Sequence, residues 1–338
     1  MSGQEKRFVD TIKLSLSVVS LLLLLFLLLC LLLLNPSLLD FTEEIPPLGV
    51  TESPVSTPLP WTPPDSTKIP DTPEGDLIRY GRELIAHTAT YLGPSGSVDA
   101  FSNGMNCQNC HLKAGKKLFA LNFSSVESTY PKFRARSGGM ESIEKRVNDC
   151  LERSLNGRGL ATDSHEMRAI VSYIKWVGKD VPKGVTPAGA GVKELTRLQR
   201  AANPKKGMVV FANQCARCHG EEGQGLKENE QWRYPPLWGA ASFNTGAGIL
   251  RLTRMAGYIK FNMPNDLTAT GPLLDDEEAW DVAAFISSMP RPAKDLSKDW
   301  PDVAGKPIDH PFGPYVDPFS EEQHRYGPFA PIQEFRKK

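Results

Sequence analysis

"CQNCH", residues 107–111, returns once in the chain, as "CARCH" at residues 215–219. Two cysteines separated by two residues, with a histidine directly after them, form the attachment motif of c-type haem. Each thiol adds to a haem vinyl group and the histidine reaches the iron as proximal ligand. A small domain can in this way hold a large apolar cofactor covalently. A redox C-x-x-C would not need a following histidine twice. A four-cysteine zinc site spaces its pairs by about 15–20 residues, whereas more than a hundred residues separate these two. Cys107, Cys110 and His111 are therefore expected to hold one haem, and Cys215, Cys218 and His219 a second.

Working outward, each motif lies in a unit of the same plan. "GDLIRYGRELIAHTA" precedes the first motif and "SHEMRAIVSYIKWVG" closes that unit; "PKKGMVVFANQ" precedes the second and "DDEEAWDVAAFISSMP" closes it. The closing stretches carry apolar residues at helical spacing, and Asp275 and Glu277 suit the N-terminus of a helix. No alternating strand pattern is strong anywhere. The expected fold class is mainly α: two tandem cytochrome c-like haem domains behind an N-terminal transmembrane helix. The first domain is placed at 75–185 and the second at 204–291, with a Gly/Pro-rich joint running into an interdomain linker at 186–203. Residues 292–338 form a C-terminal extension rich in proline and aromatics, which either wraps the domains or hangs loose.

The N-terminal side reads as a membrane tether. Leu14 to Leu34 is 21 residues without a charge, and a spanning helix needs about 20. Lys6, Arg7 and Lys13 precede it and Asp40, Glu43 and Glu44 follow it. That bias places residues 1–13 in the cytoplasm and the haem domains on the outer, periplasmic side of a bacterial cytoplasmic membrane. A cleaved signal peptide would have a shorter apolar core and a small-residue cleavage site. Cys30 is then an apolar filler. Residues 35–74 hold ten prolines, the composition of an extended spacer. Formal net charge is zero and no nucleic-acid motif is present, so no nucleic-acid partner is expected.

The distal ligands separate the two haems. In the second domain Met263 precedes Pro264 in "FNMPNDL", between haem motif and terminal helix, where a small cytochrome c usually carries its distal methionine. Met255 is the competitor, with core packing as its plainer role. A haem ligated by His219 and Met263 passes electrons and leaves no place for substrate. The first domain has no Met-Pro; Met105, Met140, Cys150, His165 and Met167 are the candidates. "ESIEKRVNDCLERSLNG" reads as a helix on which Arg146, Cys150 and Ser154 share a face at intervals of four, and Arg136 lies one short loop upstream. Two arginines, a hydroxyl and a thiol make a poor core face and a plausible anion site. From 113 to 158 there are ten Lys/Arg against five Asp/Glu. A solvated helix face is the alternative.

This pattern resembles the thiosulfate dehydrogenase family, dihaem c-type cytochromes that couple two thiosulfates into tetrathionate. The resemblance covers roughly residues 75–290. In that family the first haem has His/Cys ligation, with the cysteine on a helix well downstream of its attachment motif. Cys150, 39 residues after His111, matches that position, and Arg136, Arg146 and Ser154 match the two arginines and serine around it. The resemblance implies that Arg136 and Arg146 clamp the sulfonates, that Ser154 adds a hydrogen bond, and that Cys150 ligates the first iron or bonds to substrate sulfur. Electrons would leave through the second haem to an external cytochrome c. Some members carry a lysine before the second-haem methionine; here Asn262 stands there, with Lys260 two residues back, which leaves lysine exchange and the preferred direction open. Rival expectations are a tethered dihaem electron carrier without its own substrate, a dihaem peroxidase, and a sulfur-oxidation cytochrome that loads thiosulfate onto a carrier protein.

Overall fold

In each haem domain a helix leading towards the attachment motif crosses the helix that closes the domain, and each crossing passes over a glycine. In the computed structural model, which describes residues 3–34, 60–265 and 271–337, the first such pair is Pro73–Ala86 and His165–Gly178. A Cβ on Gly81 would lie 1.9 Å from the carbonyl oxygen of Ala169. The second pair is Pro204–Gln214 and Asp276–Ser288, and a Cβ on Gly207 would lie 1.9 Å from the carbonyl oxygen of Asp281. Only glycine permits backbones to approach so closely.

These helices start where the local chemistry says they should. Thr72 caps the first, with Pro73 in its opening turn; Ser164, Asn203 and Asp275 cap the others. Each cap side chain accepts a backbone N–H that the helix itself leaves unpaired. Asp275 and Glu278 form a reciprocal capping box. The buried faces then fill two cores. Leu84, Ile85, Met167, Ile170, Tyr173 and Ile174 lie in the first. Phe211, Leu252, Met255, Trp280, Val282 and Ile286 lie in the second. Strands are confined to two short antiparallel hairpins, Lys132–Arg134 with Gly139–Glu141 and Leu226–Glu228 with Gln231–Tyr234.

The two domains and the C-terminal segment make one compact unit, Pro58–Lys338; the N-terminal helix belongs to another, Met1–Thr57. That helix runs Gly3–Leu34 and has a mean hydropathy of 3.0 over Lys13–Leu31, long and apolar enough to cross a membrane. Most of the spacer at 35–74, including Asp40, Glu43 and Glu44, lies outside the described residues. Between the haem domains the connector is ordered. Ala120 bridges Val192, and the amides of Phe119 and Leu121 donate to the carbonyls of Gly189 and Gly191.

The C-terminal segment wraps. Asp309 is fully buried and pairs with Arg251 (Nε 2.7 Å) while accepting from Thr253. Further on, His324 is fully buried under Tyr315 and donates to the Ile308 carbonyl and the Asp317 carboxylate. Arg336 completes that knot at 2.7 Å from Asp317. A segment with only two six-residue helices, Glu321–Tyr326 and Ala330–Phe335, is thereby fixed by buried ion pairs together with Phe329 and Ile332, which are buried in the second core.

Candidate active site

The cysteine-bearing helix runs Ile143–Arg153, capped by Ser142 and ended by Ser154. Its geometry sorts the distal candidates of the first domain. The Cys150 thiol lies beside the His111 imidazole. His111 Nδ1 is held by the Leu121 carbonyl. A carbonyl only accepts, so Nδ1 donates and Nε2 is the nitrogen left for a further partner. The others point elsewhere. Met140 is 65% exposed, and Met105 and Met167 sit in hydrophobic cores. His165 stacks on Tyr80 at 5.2 Å.

The donor set fits a c-type haem. Cys107 and Cys110 are unpaired thiols near the Cys150 sulfur. Burial pushes them up to about 11 and about 12, with Cys150 adding to both. The second motif repeats the plan: His219 Nδ1 donates to the Pro235 carbonyl at 2.9 Å, and burial lowers its basicity, leaving a neutral imidazole. Cys215 is pushed up to about 12, by burial and then by Cys218.

Around Cys150 the surroundings are cationic. Burial alone would raise its thiol, but Arg146 and His111 outweigh that and bring it down to about 7. Arg146 is half-buried, its guanidinium makes no hydrogen bond among the described residues, and its charge is sustained by Cys150 against burial. Arg136 is 14% exposed at the tip of the Lys132–Glu141 hairpin. Burial, then Arg153 and Arg146, push it down to about 10, which still leaves it charged at neutral pH. One guanidinium nitrogen of Arg136 donates to the Gly246 carbonyl at 3.3 Å. Ser154 spends its backbone on Cys150 and Asn103, and its hydroxyl makes no hydrogen bond among the described residues. The structure thus gathers Arg136, Arg146, Cys150 and His111 in one place, with Ser154 one turn further along the helix.

Three residues join that sequence reasoning did not single out. Arg153 lies two turns beyond Arg146 and forms a two-pronged pair with Asp299, both bonds 2.7 Å. Trp300 lies under Arg136, its ring centroid 5.7 Å from the guanidinium carbon. Arg153 was readable from its spacing; the sequence offered no signal for Asp299 and Trp300.

The second site is apolar by contrast. Phe211, Trp238 and Phe285 stack around one another at 4.9–5.6 Å. Met263 ends the Leu252–Asn262 helix, partly buried, against a cluster containing Leu112, Leu121 and Tyr258. Met255 is 4% exposed inside the core. Lys260 pairs with Asp276, and Asn262 is fully buried and donates to the Phe119 carbonyl of the first domain at 3.0 Å.

Comparison with known proteins agrees with this division. Residues 98–182 match the family described as SoxA/TsdA, cytochrome c domain, and residues 204–290 match Cytochrome c. The thiosulfate dehydrogenase of Psychrobacter arcticus is 37% identical over 71% of this chain and 71% of its own length. That of Allochromatium vinosum is 38% identical over 68% of this chain and 84% of its own. The solved thiosulfate dehydrogenase (TsdBA) from Marichromatium purpuratum superposes with a TM-score of 0.64 at 33% identity, covering 69% of this chain. This chain spans half the length of that one. A two-haem c-type cytochrome, the chain belongs to the thiosulfate dehydrogenase family.

Proposed function

We propose that the first domain joins two thiosulfate dianions into tetrathionate, and that the second domain passes the electrons to an external cytochrome c. The reaction forms one sulfur–sulfur bond between the outer sulfurs and releases two electrons, with no proton to place. Haem supplies one-electron acceptor capacity in each domain when bound. His111 and Cys150 would ligate the iron of the first haem, and His219 and Met263 that of the second; Cys107, Cys110, Cys215 and Cys218 would attach them.

The observation that carries the proposal is the Arg146 guanidinium, without a hydrogen bond and beside a thiol that faces His111. Two dianions repel, so a coupling site must supply positive charge where they meet. Arg146 and Arg136 do that in a half-buried setting, where charge pairing counts for more than in bulk water. Guanidinium groups bind tetrahedral oxyanions through paired donors, which would orient each sulfonate outward and the outer sulfurs toward each other. Ser154 would donate one further hydrogen bond. A carrier without substrate needs none of this.

The N-terminal helix would act as an uncleaved anchor, with the haem domains on the periplasmic side. Its length supports that, as does the positive charge at its start.

The test is thiosulfate-dependent haem reduction and tetrathionate formation by the haem-loaded protein, with Cys150→Gly beside it. The variant is expected to lose at least ~10²-fold in turnover. Equal turnover by wild type and variant would sink the proposal. Absence of any thiosulfate or tetrathionate chemistry in the wild type would hand the chain to the electron-carrier reading.

A further inference from the structure

The C-terminal segment enters the first-domain site, although it follows the second domain in sequence. We infer that Asp299 and Trp300 are positioning residues for Arg136, so that the C-terminal segment sets how tightly the anion is held. This rests on the assignment of Arg136 to the anion site.

Four contacts from that segment converge on the hairpin that carries Arg136. The Trp300 amide donates to the Arg136 carbonyl at 2.7 Å. The Trp300 ring faces the guanidinium at 5.7 Å, within the reach of a cation–π attraction. Asp299 lies 4.0 Å from Arg136 Nε. Pro301 lies against Gly138, where a Cβ would come within 2.5 Å of the proline ring. The hairpin tip therefore has its backbone, its charge and its outer face fixed by one three-residue stretch.

Trp300 itself has a φ of 61°. A bulky residue in the left-handed region is strained and persists only where its surroundings enforce it. Here the enforcement is the ion pair next door. Asp299 is 10% exposed and takes both prongs of Arg153, a residue anchored on the cysteine helix. Asp299 thus ties that helix to Arg136 and offsets part of the repulsion among Arg136, Arg146 and Arg153. Without it, Arg136 would be driven from two neighbouring cations towards solvent.

Arg136 has no other carboxylate in salt-bridge range among the described residues. The one hydrogen bond of its guanidinium among the described residues goes to the Gly246 carbonyl at 3.3 Å, too weak to fix a long side chain by itself. The Trp300 ring and the Asp299 carboxylate are what distinguish a fixed clamp from a mobile one, and a fixed clamp loses less conformational entropy on binding.

The indole N–H of Trp300 has no partner among the described residues, so Trp300→Phe removes no hydrogen bond and keeps an aromatic face. Trp300→Leu keeps apolar bulk and removes the face. On full-length haem-loaded protein, Trp300→Leu and Asp299→Asn should each raise KM for thiosulfate about fivefold or more, with kcat within about twofold. Trp300→Phe should return KM to within about twofold of wild type. Sulfate has the sulfonate's shape and no outer sulfur to oxidise; its binding, measured by calorimetry, should weaken in parallel. Arg136→Ala runs as the reference. If Arg136→Ala raises KM while Trp300→Leu and Asp299→Asn do not, the positioning role is wrong and the anion site stands. If Leu and Phe at 300 behave alike, the ring is mere filling and the inference fails. If Arg136→Ala leaves KM and sulfate binding unchanged, the anion site and this inference fall together.

Discussion

The two haem domains share a helix crossing, an attachment motif and a histidine tied through Nδ1 to a carbonyl, yet they use their arginines differently. In the first domain the Arg146 guanidinium lies beside Cys150 and makes no hydrogen bond among the described residues. In the second, Arg291 is pushed down to about 10 by burial alone, but its donors go to the Leu237 and Ile286 carbonyls and its plane lies 4.4 Å from Phe243. An arginine with satisfied donors acts as a structural strut; one with open donors suits the anion-binding role proposed for Arg146. On that proposal, similar scaffolds give a chemical site and a conduit.

That contrast predicts an asymmetry in mutants. Arg146→Leu should lower kcat/KM for thiosulfate by about 10²–10³-fold, the loss expected when a charge-stabilising donor leaves a catalytic site. Arg291→Leu should leave kcat/KM within twofold and instead cost about 1–2 kcal/mol of stability. Steady-state rates and denaturant unfolding of the haem-loaded proteins measure the pair. Equal catalytic losses would erase the distinction between the domains.

A second prediction concerns what holds the C-terminal segment to the conduit domain. Asp309→Asn weakens a buried pair with Arg251 and Thr253, and breaking such a pair costs about 3 kcal/mol. The unfolding midpoint in denaturant should fall accordingly. A change in stability of under half that figure would mean the segment is held elsewhere, through the Asp317–His324–Arg336 knot.

The smallest effect tests the seam between the domains. Tyr258, on the helix leading to Met263, donates to the carbonyl of Asn109 inside the first haem motif at 3.2 Å. Tyr258→Phe should cost about 1 kcal/mol, read from the same unfolding curves. A null result would place the cohesion of the seam in the Leu112, Ala120 and Val192 cluster instead.

How much of this could be read from sequence depends on distance along the chain. Both haem motifs are contiguous, and Arg146, Cys150 and Ser154 share a face through helical periodicity alone. Arg136 sits close enough upstream for one hairpin to return it. The wrapping of residues 292–338 has no long periodic signature, because its two helices, Glu321–Tyr326 and Ala330–Phe335, are only six residues each and isolated apolar anchors such as Phe329 and Ile332 share the work with buried ion pairs. Asp299 and Trp300 meet Arg153 and Arg136 only through tertiary folding, and nothing in "KDWPD" announces that. The distal ligand of the first haem is similarly open among five residues in the sequence. Met140 is exposed, Met105 and Met167 lie in cores and His165 stacks on Tyr80, while Cys150 lies beside His111, which supports it as the proposed ligand.

The Arg153–Asp299 pair has a consequence for the order in which the molecule becomes complete. Asp299 is synthesised more than a hundred residues after Arg153. A chain interrupted before that point would possess both attachment motifs while Arg153 kept only its longer contact with Asp149, at 3.9 Å. Losing the shorter of a buried guanidinium's two ion pairs is costly, so such a fragment is expected to be less stable than the finished chain. Arg153 gains its two-pronged carboxylate only in a chain that has been made past residue 299.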